Sequence, residues 1–179
     1  MQEIGVRVGM SPANVLRYFE SKEALLEAVA EYWFRPKVAM MEEVVASDLP
    51  PRRKMYEFFA RRFTLMRNAY LADPVAHEMY VELGNDYFET VRSYVDLADH
   101  YLGTIIGEAI ADGFFAGLEI DNTISLVNQM VQPYCNINLM GGMMDRLSED
   151  KLARIIDAMF DGLSAQDRGA KGVTGLRAA

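Results

Sequence analysis

The sequence predicts an all-α protein, an N-terminal helix-turn-helix followed by a larger helical body, and three observations support this. Apolar residues recur every three or four positions through long segments. Cap-plus-proline start signals stand at Ser11-Pro12 and Asp73-Pro74, where a proline at the first helical position is harmless. No strand-like alternation of useful length appears anywhere. The chain divides into residues 1–46 (the helix-turn-helix with a connecting helix), 47–164 (the body) and 165–179 (a tail expected to be disordered for want of apolar periodicity).

Three boundary signals crowd the first part. Gly9 can end a helix in the left-handed conformation, Ser11 caps the next one, and Ser21 caps a third with Glu23 in its first turn. Residues 1–8 and 12–19 are therefore two short helices joined by a glycine-containing turn, the form of a helix-turn-helix. In the second, Val15, Leu16 and Phe19 share an apolar side that Ile4, Val8 and Met10 would cover, leaving Asn14, Arg17 and Tyr18 outward. A helix that reads DNA needs this division, but an ordinary helical hairpin has it too.

From Lys22 a long helix runs through Leu25, Leu26, Val29, Trp33, Val44 and Val45, either bent near Pro36 or divided there. Residues 47–51 form a connector, and the next helix carries Met55, Phe58, Phe59, Phe63, Met66 and Tyr70. Asp73-Pro74 starts a short helix that Gly84-Asn85 should end. A long helix follows through Tyr87, Phe88, Val91, Tyr94 and on to Ile110, closed by Gly113 and Gly117. Asp121 should cap a helix kinked at Pro133 and ended by Gly141-Gly142, and Ser148 should cap the last, through Leu163.

Composition narrows the function. No apolar run approaches the length of a membrane span, and no basic-then-apolar leader is visible, so the chain reads as cytoplasmic with no membrane partner. A net charge of −8 argues against a protein that coats nucleic acid. Residues 1–22 nevertheless hold Arg7, Arg17 and Lys22 against Glu3 and Glu20, a locally positive head on an acidic body. No GxSxG, phosphate-binding glycine loop or HExxH motif is present, so neither an enzyme nor a cofactor is expected. His77 with Glu78 and Glu82, and Asp96 with His100, are better read as solvated helix faces than as metal sites. The lone Cys135 reads as a small buried residue. Asn128, Gln132 and Asn136 form a line of amides at i, i+4 and i+8, able to bond across a subunit interface, line a ligand cavity or face water.

Residues 4–11 and 15–25, with Tyr18-Phe19-x-Ser21-Lys22-Glu23-x-Leu25 the most specific part, resemble the DNA-binding signature of the TetR (tetracycline-repressor-like) family. The resemblance covers about the first 35 residues. It implies a DNA-binding transcriptional regulator, expected to be a repressor released from double-stranded operator DNA by a small apolar or amphipathic effector. The DNA-contacting edge is then Ser11, Pro12, Ala13, Asn14, Arg17, Tyr18 and Lys22, with Asn14 and Arg17 suited to bases and Tyr18 and Lys22 to phosphates. It implies a cavity between the middle helices, for which Phe59, Phe63, Met66, Tyr87, Phe88 and Tyr94, with Asn128 and Gln132, are the candidates, although such stripes are also what a plain core requires. It also implies a homodimer through the last two helices, on the faces bearing Ile124, Val127, Val131, Ile156, Met159, Phe160 and Leu163.

Two departures from the family pattern are visible. Leu16 stands where the family usually has Tyr, and the chain begins inside what would be the family's second helix. Residues 1–22 are accordingly expected to be more mobile than the body and to bind DNA weakly. A small-molecule-binding helical dimer with no DNA-binding activity is the competing reading.

Overall fold

The computed structural model describes residues 18–164, and among these the structure is entirely helices and connecting turns. The expected helices at residues 1–8 and 12–19, the DNA-edge residues Ser11, Pro12, Ala13, Asn14 and Arg17, and the expected tail all lie outside or largely outside that range.

Helix α1 (Lys22–Ala46) starts where the Ser21 hydroxyl accepts the Ala24 amide at 3.0 Å, and it continues through Pro36 without ending. Its two halves serve different cores. Before the proline, Ala30 packs with Leu83 and Val91, edged by Leu26, Val29 and Phe34. After it, Met40, Met41 and Val44 join the main core. Helix α2 (Pro51–Ala72) is the centre of the molecule, burying Met55, Phe58, Phe59, Phe63 and Met66. Its Lys54, itself buried, donates to the Val45 carbonyl at 2.9 Å and pairs with Glu108 at 2.8 Å, tying the end of α1 to helix α4 (Phe88–Ala111).

Asp73 caps helix α3 (Pro74–Asp86) as its sequence promised, accepting from the Ala76 amide at 2.9 Å. Gly84-Asn85 does not stop it. Leu83 is anchored in the smaller core, and Asn85 exchanges side-chain amide bonds with Asn138, which holds the last turn. Helix α4 ends in a Schellman motif: Phe114 donates to Ala109 at 2.9 Å and Gly113 to Ile110 at 3.0 Å. Gly113 has φ +89°, a conformation that glycine adopts without steric cost.

The third quarter of the chain departs most from expectation. Helix α5 (Ile120–Met130) begins after Glu119, so Asp121 sits in its first turn and does not cap it. The kinked helix is three pieces: α5, a single turn α6 (Gln132–Cys135) and α7 (Ile137–Met143). Pro133 cannot supply the amide that would continue α5, but it fits the first turn of α6. Asn136 then caps α7, accepting from the Asn138 amide at 2.9 Å. Gly141 and Gly142 lie inside α7, which passes directly into a 3-10 turn (Met144–Arg146). Ser148 caps α8 (Glu149–Gly162) through the Lys151 amide at 3.2 Å. Helix α8 lies along α2, where Arg52 bonds Asp157 and Asp161.

Between α4 and α5, Phe115 has φ +52° yet is only 1% exposed, with its ring 4.8 Å from that of Phe160. A bulky residue at positive φ is strained by roughly 1–2 kcal/mol, so burial must hold it there. Phe115→Ala keeps the strain and loses the burial, an expected loss of about 3–5 kcal/mol in urea unfolding. Phe115→Gly loses the burial alone, and glycine is therefore expected to be the better of the two by about 1 kcal/mol, reversing their usual order.

Candidate functional site

The main irregularity of α1 is Pro36, whose ring nitrogen offers no hydrogen to the carbonyl four residues earlier. Trp33 and Lys37 flank it on one helical face. Lys37 is 5% exposed, and its Nζ donates to the Trp33 carbonyl at 3.2 Å while lying 3.6 Å from the Trp33 ring centre. The Phe34 ring centre is 4.9 Å away. Burial, and secondarily the like charge of Arg62 on α2, pushes the Lys37 pKa down to about 6. No carboxylate lies within ion-pairing distance of Lys37 or Arg62 among the described residues.

Opposite Lys37, α3 contributes His77, which is 4% exposed. Neither ring nitrogen has a hydrogen-bond partner among the described residues. Tyr70 meets the ring edge-on at 4.9 Å and Trp33 at 6.5 Å. Burial lowers the His77 pKa, outweighing the pull of the Ile137 backbone towards the charged form, and Lys37 lowers it further. Trp33 in turn stacks on Tyr80 at 3.7 Å. Trp33, Lys37, His77 and Tyr80, with Leu65 and Ala69 of α2, wall a cleft of about 650 Å³ between α1, α2 and α3. That volume suits a small organic molecule, and apolar walls with a few convergent polar groups are what such sites use.

A second cleft, about 590 Å³, is lined by Arg62 and is more polar. Asn128, Gln132 and Asn136 all line it, although the helix expected to align them is broken at Val131. Asn128 donates to Asp99 at 2.9 Å, and the Asn136 oxygen is already used as a cap. Cys135 also lines this cleft, and burial raises its thiol pKa against the opposing effect of Arg62.

The other expected site residues are scattered. Phe59, Phe63 and Met66 are buried in the main core. Tyr87 and Tyr94 edge the smaller core, and Phe88 is 51% exposed. The eight pocket candidates therefore do not enclose one cavity. The expected dimer face needs correction as well. Val127, Val131, Ile156, Met159 and Phe160 are buried in the chain's own core, with Ile124 and Leu163 packed against them. The five buried residues are covered within the chain, because α5 and α8 turn their apolar stripes onto α4 and α2, while Ile124 and Leu163 stay partly exposed. Tyr18 is exposed. Lys22 hydrogen-bonds the Tyr87 hydroxyl and lies 4.8 Å over its ring, a contact that raises the lysine pKa.

What sequence reading missed was the set Trp33, Lys37, His77 and Tyr80. One signal was present: Lys37 falls four residues after Trp33 and just before Met40, Met41 and Val44, inside an apolar stripe where a solvated lysine does not belong.

Comparison with known proteins decides the family. The description "Tetracyclin repressor-like, C-terminal domain" matches residues 51–156, and "Bacterial regulatory proteins, tetR family" matches residues 1–29. The chain belongs to the TetR family. It is accordingly a DNA-binding transcription regulator, of a family whose members bind operator DNA and dimerise. Its fold is similar to that of the TetR family transcriptional regulator PfmR from Thermus thermophilus, with a TM-score of 0.63 at 18% identity, over 90% of this chain and 87% of that one. No curated protein matches the sequence. No helix among the described residues of this TetR-family chain is long and apolar enough to cross a membrane.

Proposed function

We propose that this chain is a ligand-responsive regulator, a repressor that a small molecule releases from operator DNA, and that the effector binds in the cleft between α1, α2 and α3. The observation that carries this reading is the pair of buried, under-bonded polar side chains, Lys37 and His77, facing a cleft whose wall is the helix leading back to the DNA-binding segment. Buried polar groups without partners are costly, and they persist where a ligand completes them. An effector held between α1 and α3 favours one placement of α1, and the regulator responds in proportion to its differential affinity for the two placements.

Residues 1–46 carry the DNA-binding function in this reading and supply, through α1, one wall of the effector cleft, while residues 47–164 supply its other walls and dimerise. Ser11, Pro12, Ala13, Asn14, Arg17, Tyr18 and Lys22 form the DNA edge, and Lys22 must exchange Tyr87 for a phosphate to take part. The dimer contact is assigned to the outer surface of α5 and α7, where Leu126, Met130 and Leu139 are exposed apolar residues.

The test is DNA binding by the full chain, using an operator selected from a randomised pool. Arg17→Ala should weaken specific binding by roughly 1–3 kcal/mol while leaving non-specific binding nearly unchanged. No sequence-selective binding by the unaltered chain would favour the competing reading, a ligand-binding dimer that does not read DNA.

A further inference from the structure

The Lys37–His77 cleft has an excess of hydrogen-bond donors. Even as a neutral amine Lys37 has two N–H groups, and the Trp33 carbonyl takes one. His77 has no well-formed hydrogen bond at either nitrogen, with the Ile137 backbone near enough only to favour its charged form. Acceptors are scarce. The Asp73 carboxylate at the cleft edge is engaged as the cap of α3, and Glu78 is exposed on that helix. The titratable groups that face Lys37 from its packed neighbours are the cationic Arg62 of α2 and His77 of α3, whose charged form burial disfavours, while Arg35 of its own helix lines the same cleft. A cationic ligand would meet the guanidinium groups of Arg35 and Arg62, opposed only by the Asp73 carboxylate, which is already engaged as a cap. A purely apolar ligand would leave the donors buried and unfilled, at a cost each time.

We propose that the molecule bound here is a small aromatic carboxylate, its anionic group received by Lys37 and His77 and its ring laid against the Trp33–Tyr80 stack. The assignment rests on the reading of this cleft as the effector site and adds the chemical class of the effector. It has a further consequence. With a pKa near 6 in the open cleft, the Lys37 amine is largely neutral at neutral pH. A carboxylate in contact favours the ammonium, so binding takes up a proton, and affinity falls as pH rises above that value.

Calorimetry on the full chain tests this with benzoate and phenylacetate against benzamide and phenylacetamide, in two buffers of different ionisation heat. The carboxylates should bind at least about tenfold more tightly than their amides, with about one proton taken up per site. Affinity should drop by up to about tenfold between about pH 7 and about pH 8. Lys37→Met should erase the preference for the carboxylate and the proton uptake together. His77→Leu should weaken carboxylate binding several-fold while the proton uptake remains. Equal affinity for acid and amide, binding without proton uptake, or no carboxylate binding at millimolar concentration would overturn the assignment. A neutral compound that occupies this cleft and releases DNA would do the same while leaving the regulator reading intact. Carboxylate binding with proton uptake but no effect on DNA would sustain the ligand class and defeat the regulatory reading.

Discussion

Lys37→Met is expected to stabilise the chain at neutral pH, on the order of 4 kcal/mol. In the folded chain the amine holds its proton only below about pH 6. In the unfolded chain it holds it to about pH 10.4. Between those values the unfolded state binds the extra proton, so the lysine subtracts stability. The penalty is greatest below about pH 6 and shrinks by up to about 1.4 kcal/mol for each pH unit above it. Methionine fills a similar volume beside Trp33 and Phe34 and carries no charge to desolvate. Urea unfolding at about pH 7 and about pH 9 checks both halves of the expectation. The unaltered chain should gain stability over that interval, and the variant should show a much flatter profile. A variant less stable than its parent would mean that Lys37 has a counter-charge in the folded chain.

Phe63→Ala should be the opposite case, losing about 3–5 kcal/mol. The side chain is fully buried at the centre of α2, its ring 5.2 Å from Tyr134 and edge-on to it, with the Arg67 guanidinium 5.4 Å from the ring centre. Truncation opens a cavity between α2 and α6 that rigid helices cannot close. A residue lining a solvent-open pocket would lose far less. Thermal or urea unfolding therefore distinguishes the core role from the cavity role that its aromatic stripe also allowed, and a loss below about 1 kcal/mol would restore the latter.

The all-α class and most helix starts were legible because they depend on chemistry within four residues. Ser21, Asp73 and Ser148 each accept the backbone amide that their position predicts. The endings were less legible, since a neighbour can override a weak breaker. Asn138 does so for Gly84-Asn85. Pro133 behaved in the contrary way, ending one helix and opening another, where a bend alone had been expected. The apolar stripes of α5 and α8 show which face is covered but not what covers it, so a resemblance that implies a dimer through these helices is compatible with stripes whose Val127, Ile156 and Met159 fill the chain's own core. The cleft was nearly invisible. A lysine and a histidine carry no mark of burial in a sequence, and His77 stood among carboxylates that suggested solvent and metal chemistry instead. Only the packing of α1 across α2 and α3 encloses them.

The proline that divides α1 also sets a mechanical ratio. From Lys22 to Pro36 the helix is a rod of about 20 Å, at roughly 1.5 Å per residue. Past the proline its other end is clamped by Met40, Met41 and Val44. Pivoted at Pro36, a tilt of about 10° would sweep the far end through roughly 3–4 Å, comparable to one base-pair step of about 3.4 Å along DNA. The small core around Ala30 resists this sweep with three buried residues, of which Leu83 and Val91 are the largest. A movement too slight to disturb the main core at Pro36 is thereby magnified, at the end of the rod, to the grain of the double helix.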